Sequence, residues 1–177
     1  AEHISETGIN SMSYQQEPNQ VIWCVREDGR LIGLTYQREQ QVVAWHQHIF
    51  GGAFGSGIAV CESIATIPTD DKEYQTWVII KRTINGVTRR YVEYINQFDF
   101  DETDNTNFNF LDSQLAYSGS ATTTITGLDH LEGQTVSVLA NGATHPDRTV
   151  SGGSITLARS STKVKVGLKY TSLLIIT

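Results

Sequence analysis

The stretch TWVIIKRTINGVTRRYVEYI, residues 76–95, limits what this chain can fold into more than any other part of it. Asn85-Gly86 stands between two runs of β-branched and aromatic residues. Both central residues of a type I′ turn need φ > 0, which Asn tolerates and Gly adopts freely, so the pair predicts a two-residue hairpin. The run before it, residues 77–80, is apolar throughout and turns polar at Lys81 and Arg82, the pattern of a strand buried on both faces at one end only. The return strand alternates Val87, Arg89, Tyr91 and Glu93 against Thr88, Arg90, Val92 and Tyr94, which reads as half-solvated.

The same grammar occurs upstream in VIWCVREDGRLIGLTY, residues 21–36, where Trp23 stands in the first strand, Asp28-Gly29 makes the turn and Tyr36 closes the return. Two such units predict an internal structural repeat. Val42, Val43, Ala44 and Trp45 begin a further strand that continues through His46 and His48, and residues 49–57 (IFGGAFGSG) form a glycine-rich loop. Residues 58–67 read as another strand, ended by Pro68. Pro18, Pro68 and Pro146 all fall in expected connections. Residues 1–20 carry no clear pattern, and a start at Ala1 rather than Met is expected of a processed or recombinant fragment.

From residue 96 the composition shifts to FDFDETDNTNFN, an Asp/Asn/Thr-rich segment expected to be an exposed linker. This divides the chain into a β-hairpin platform over 1–97, a linker or long loop over 98–114, and a small β-barrel over 115–177 that includes a C-terminal strand. In the last part residues 122–126, 135–139, 154–157 and 162–166 read as short strands, with turns at Asn141-Gly142 and Gly152-Gly153. Lys163 and Lys165 alternate with Val164 and Val166, charges outward. Helix signals are confined to single turns at 114–117 and 129–132. Short strands at this spacing suggest a closed or nearly closed barrel.

A chain of 177 residues can bury a core without staples. Its formal charge of −6 argues against a nucleic-acid binder that relies on phosphate contacts. Cys24 and Cys61 sit in apolar runs and read as buried free thiols, with one disulfide in an exported protein as the alternative. The most hydrophobic stretch, 173–176, is too short to span a bilayer, so a soluble protein without membrane insertion is expected.

Motifs of catalysis are not found. His46 and His48 are two apart on a strand and project to one face, a spacing that can hold a metal, but sequence offers no third ligand unless a symmetric oligomer brings several pairs together. Asp99, Asp101, Thr103 and Asn105 have the alternating oxygens of a calcium loop, yet Asp104 stands where Gly is needed and Phe110 where a bidentate Glu is needed. Gly51, Gly52, Gly55 and Gly57 resemble a phosphate cradle but precede a strand, not a helix. There is no Gly-x-Ser-x-Gly elbow and no His-Glu-x-x-His motif. Lys81, Arg82, Arg89 and Arg90 form a basic cluster near the hairpin tip, read as a solvated end or a contact for an acidic neighbour. Catalytic, metal and cofactor sites are therefore all expected to be none, and the chain is not expected to be an enzyme.

The run ITGLDHLEGQTVSVLANG (125–142), TVSGGSITL from Thr149 and KVGLKY ending at Tyr170 resemble the C-terminal part of large structural proteins of tailed bacteriophages and prophages. VIWCVREDGRLIGLTYQREQQVVAWHQH and WVIIKRTINGVTRRYVEYI resemble the same family in the same order, so the resemblance covers most of the chain. Lys169 departs from a Gly-Leu-Pro-Tyr ending, and the acidic linker is long for the family. The resemblance implies a tail-tube or nozzle component, with Trp hairpins in a propeller-like platform and a small barrel similar to one in ubiquitin-activating enzymes. It supplies no catalytic residues and no cofactor.

Together these readings predict an all-β protein: antiparallel hairpins of a partial propeller-like or sandwich platform plus a small β-barrel. Trp23, Trp45 and Trp77 are expected in the platform core, and Val136, Val138, Ile155, Leu157, Val164 and Val166 in the barrel. The expected function is structural, in the virion tail after synthesis in the bacterial cytoplasm, with other tail or virion proteins as partners and a homo-oligomer in the particle. The alternative is a carbohydrate- or receptor-binding module using the loop residues Phe50, Phe54, Phe108 and Phe110. A third reading is a tail-attached hydrolase, which needs a cleft with converging carboxylates.

Overall fold

A computed structural model describes residues 6–37, 41–70, 73–96 and 102–175. The described chain is all-β. Its strands are β1 (Ile9–Gln15), β2 (Val21–Arg26), β3 (Leu31–Gln37), β4 (Val42–Ile49), the two-residue β5 (Ala53–Phe54) and β6 (Gly57–Ile58), β7 (Val60–Pro68), β8 (Tyr74–Ile84) and β9 (Val87–Ile95). Then come β10 (Asp112–Thr126), a 3-10 turn at Asp129–Leu131, β11 (Thr135–Ala140), β12 (Ala143–Thr149), β13 (Ser154–Leu168) and β14 (Thr171–Ile175). Two compact units result. One holds the described residues of Ala1–Arg82, Arg89–Asn96 and Thr171–Thr177, the other those of Thr83–Thr88 and Gln97–Tyr170.

In the first unit β1-β2-β3-β4-β14 form a five-stranded sheet and β7-β8-β9 a three-stranded one. Both two-turn meanders, β1-β2-β3 and β7-β8-β9, repeat one topology. Val21, Trp23, Val25 and Leu31 of the larger sheet share a core with Cys61, Ile64, Val78 and Ile80 of the smaller, so the platform is a sandwich, not a propeller blade. Asn85 and Gly86 both have positive φ, at 48° and 72°, as the type I′ turn requires. Only the Asx-Gly signal is common to the two hairpins in detail: around Asp28 the turn is longer, with Gly29 at φ 82° bonding back to the Arg26 carbonyl at 3.0 Å.

Three expectations for this unit are corrected. First, β8 is not buried on both faces: Thr76, Val78, Ile80 and Arg82 point inward while Trp77, Ile79 and Lys81 lie on the other face, so Trp77 is outside the core that Trp23 occupies. Period-2 alternation places an even-numbered run inside, and Trp77 has the wrong parity. Second, β1 is a strand where no pattern was visible, because its small residues Ser11 and Ser13 alternate with exposed Met12 and Tyr14. Third, the C-terminal strand leaves the 115–177 domain: residues 171–175 pair antiparallel with β4, from Thr171↔Ile49 to Ile175↔Trp45. Trp45 packs with Ile22 against buried Cys24 and Ile32 in a separate small cluster.

The second unit is a four-stranded antiparallel sheet of order β10-β13-β11-β12, and among the described residues it does not close into a barrel. Residues 114–117, a candidate helical turn, lie inside β10, and the break expected between 157 and 162 is absent because β13 runs on through it. Register shifts along β10 and β13 bend the pair instead of interrupting it. Pro146 is inside β12, not in a connection; it sits on an edge strand at a register shift, where a missing N–H breaks no ladder bond. In place of closure, the Nε2 of His145 accepts a bond from the Ala158 N–H at 2.8 Å and Arg148 donates to the Thr156 carbonyl at 2.7 Å. All six residues expected in this core are there, with Ile125, Leu128, Leu131, Ala140, Val150 and Leu168 completing it.

The expected turn at 129–132 explains the GLDHLEG and SGG motifs together. Glu132 accepts the N–H groups of Gly152 and Gly153 at 3.1 and 2.8 Å, filling the cradle that two successive positive-φ glycines create. The expected domain boundary falls partly on residues 97–101, outside those described. From Glu102 onward the segment is not a loose linker: Lys163 bonds Asp104 and the Thr106 hydroxyl, and Lys165 bonds the Asn107 carbonyl and Asn109. The Thr106 hydroxyl and N–H, with Lys163 beyond them, bring the Asp104 carboxyl down to about 2.

Candidate functional site

The polar groups singled out by sequence separate into two places in the first unit. On the core-facing side of the five-stranded sheet, Trp23, Gly33 and His46 lie in one cross-strand row. A Cβ on Gly33 would come within 2.2 Å of the His46 ring, so the glycine makes the seat for that imidazole. His46 Nδ1 and His48 Nε2 are 2.8 Å apart, one hydrogen bond between rings. The outer nitrogens face hydroxyls: His46 Nε2 lies 3.4 Å from Thr35 Oγ1, and His48 Nδ1 lies 3.4 Å from Ser172 Oγ on β14. Trp23 packs on both rings, with centroids 5.3 and 5.7 Å away. Burial, and secondarily the charge of His46, pushes His48 down to about 4; burial lowers His46 as well. Both rings are thus neutral at pH 7. Beside them Gln15 accepts from the Trp23 indole at 3.1 Å and from the Thr76 hydroxyl at 2.9 Å, tying the two sheets through one buried carbonyl.

The basic cluster is not one solvated group. Arg82 is fully buried, with 0% of its surface exposed. Its Nε donates to the Gly51 carbonyl at 2.7 Å and its two terminal nitrogens grip the Glu93 carboxylate in a fork. This gives the glycine-rich loop its role: Gly51 presents a backbone acceptor to a buried cation, and Gly55-Ser56 turns the small β5–β6 hairpin. Lys81 and Arg90 point to the opposite face and converge on Glu62, at 3.0 Å and at 2.7 and 3.2 Å. Arg90 foremost, and Lys81 with it, hold the Glu62 carboxyl below its usual range.

That opposite face of β7-β8-β9 is the second place. Trp77 and Tyr94 form a tilted pair 5.3 Å apart, and Val92 and Tyr94 are 69% and 51% exposed on β9, an edge strand. The Glu62 ion pairs lie on the same side, with Lys81 also 4.4 Å over the Phe54 ring. Sequence reasoning missed this strip because Trp77 was assigned to the core; residues 77–80 are apolar at both parities, so the run carries no signal of which side faces inward.

Of the expected loop aromatics, Phe50 packs on the first core and Phe54 is half-buried beneath Lys81. Phe108 and Phe110 are 5.5 Å apart, and Phe110 is 48% exposed. Asp99 and Asp101 of the calcium-like spacing lie outside the described residues. Asp104 there is engaged with Thr106 and Lys163, and Glu102 accepts the Asp104 N–H at 2.7 Å. Cys24 and Cys61 are both buried free thiols. Among the described residues no three His, Cys, Asp or Glu side chains gather as a metal cluster, and no helix is long and apolar enough to cross a membrane.

Comparison with models of known protein families finds none that matches this chain. A search of curated proteins finds no match either.

Proposed function

We propose that this chain is a structural, non-catalytic component or fragment of a bacteriophage or prophage tail, acting in the virion through protein–protein assembly. The observation that supports this reading is the outer face of β7-β8-β9. It combines solvent-exposed Val92 and Tyr94, the adjoining Trp77, and the position of β9 at the edge of its sheet. Aromatic residues beside an Arg-bearing rim are the composition of interface hot spots. The resemblance in the Trp hairpins and the GLDHLEG segment supplies the tail; the fold supplies a rigid platform on which such a face is held. Partners are other tail or virion proteins and further copies of this chain, with no role for nucleic acid.

The test is sedimentation velocity of the purified chain over a wide concentration range, with Val92→Glu/Tyr94→Glu as the comparison. Concentration-dependent assembly that the double variant abolishes is the expected result. A monomer at every concentration, unaltered by the substitutions, counts against the reading.

A second reading, a carbohydrate- or receptor-binding module of the tail, draws on the Phe108–Phe110 pair and the exposure of Phe110. Glycan-array binding lost in Phe110→Ala favours it over assembly, and no binding removes it.

A further inference from the structure

We propose that Asn85 is a site of spontaneous deamidation, the modification that converts an asparagine to aspartate and isoaspartate through a cyclic imide. The reaction is fastest where glycine follows, because the nucleophile is the next backbone nitrogen and glycine has no Cβ to obstruct its approach. The chain has three Asx-Gly pairs: Asp28-Gly29, Asn85-Gly86 and Asn141-Gly142. Sequence alone ranks the two asparagines equally. Their backbones do so too, with φ of 48° and 72° at one turn and 50° and 74° at the other, and both asparagines are exposed. The partners of each side chain separate them.

Asn141 is tied down. Its Oδ1 accepts the N–H groups of Thr162 and Lys163, each at 3.0 Å, and the Thr162 hydroxyl at 3.2 Å. Asn105 covers Gly142, donating to its carbonyl at 3.1 Å and lying where a Cβ would stand. Asp28 is held as well: its carboxylate pairs with Arg26 at 3.0 Å and accepts the Arg30 N–H at 3.3 Å, while the Gly29 nitrogen donates to the Arg26 carbonyl at 3.0 Å. Asn85 differs from both. Among the described residues its amide makes no hydrogen bond, and a Cβ on Gly86 would meet nothing within 4 Å. The closing bond of a two-residue turn runs between the residues that flank the pair, so the Gly86 N–H is not engaged by it.

The step balances with solvent alone. Base removes the Gly86 amide proton, the nitrogen attacks Asn85 Cγ, and the Cγ–Nδ2 bond breaks to release ammonia. Water then opens the five-membered ring at either carbonyl, giving aspartate or, with the chain rerouted through Cγ, isoaspartate. One water is consumed and one ammonia leaves, with no change of oxidation state. The product carries a new negative charge at the tip of the β8–β9 hairpin. Its isoaspartyl form is the substrate class of carboxyl methyltransferases that use S-adenosylmethionine. This stands independently of the proposed assembly role.

The experiment incubates the purified full chain at pH 8 and follows residues 28, 85 and 141 by peptide mapping, with electron-transfer fragmentation to tell isoaspartate from aspartate. A parallel sample is kept unfolded in guanidinium chloride. In the folded chain Asn85 should convert at least about tenfold faster than Asn141, whose three hydrogen bonds must break before its Cγ reaches the Gly142 nitrogen. Unfolding should bring the two rates together. A labelled methyl group passed from S-adenosylmethionine by an isoaspartyl methyltransferase should fall on the peptide that contains residue 85. Isoaspartate appearing at 141 or 28 as fast as at 85 in the folded chain overturns the proposal, and so does an Asn85 that stays intact until the chain unfolds. A rate ratio unchanged by unfolding also overturns it, since the difference would then lie in neighbouring sequence and not in the fold. The unaltered chain carries the whole test, so nothing depends on a variant folding.

Discussion

Arg82 carries the sharpest lesson at the residue scale. In the sequence it is one of four cations near a hairpin tip; in the fold its even parity with Val78 and Ile80 sends it into the interior, where Glu93 and the Gly51 carbonyl receive it. Removing one partner of a buried ion pair leaves the other charge without compensation, so Arg82→Met is expected to cost about 3–5 kcal/mol. Arg82→Lys should recover little of this, since an ammonium cannot reproduce the forked contact. Urea unfolding midpoints of the variants check both statements; a loss below about 1 kcal/mol for Arg82→Met would mean that Glu93 finds water at little cost. Gly33 was silent in the sequence for a related reason. Its need for no side chain arises only across strands, where the His46 ring occupies the place of a Cβ.

Elements were read well where a turn specified them and poorly where only tertiary pairing did. Asn85-Gly86 forces positive φ and was visible as a hairpin, whereas Asn141-Gly142 was visible as a turn but the strand β12 that follows it was read as a connection. Strand β1 was invisible, since a run of Ser, Met and Tyr has no pattern until β2 pairs with it. The return of β14 to β4 was also out of reach, because its partner lies far away in sequence. That seam carries a pH dependence. The groups around His48 are His46, Thr35 beyond it, Ser172 and Trp23, none of them anionic at neutral pH. Its folded pKa, about 4, lies below the unfolded value near 6.5. The neutral ring therefore favours the fold fully above pH 6.5, and this contribution, up to about 3 kcal/mol, is lost as the pH falls toward 4. Unfolding free energies measured across that window should fall more steeply for the unaltered chain than for His48→Gln. Parallel curves would remove His48 as the cause.

At the scale of the whole molecule, the two thiols report on both layers of the platform. Cys61 lies in the sandwich core and burial pushes it up to about 12; Cys24 lies in the smaller cluster on β2 and β3 and is raised for the same reason. Thiolate is the reactive form, so neither cysteine should react with a disulfide reagent at pH 8 until the fold opens. Two equivalents should then be consumed at the rate of unfolding. Rapid reaction of the native protein would contradict the burial. Because the folded Cys61 pKa exceeds the unfolded one, its contribution to stability is present below about pH 8.5 and declines as the pH rises toward 12. The sequence by itself determined the all-β class, the hairpins and the valine core of the second unit, since turn chemistry and period-2 alternation are local. The tertiary structure alone decided which parity of β8 faces inward, that the second sheet stays open, and that the chain's last strand rejoins the first sheet. Each of these depends on pairing between segments distant in the chain, and no local pattern encodes the register of a partner not yet in place.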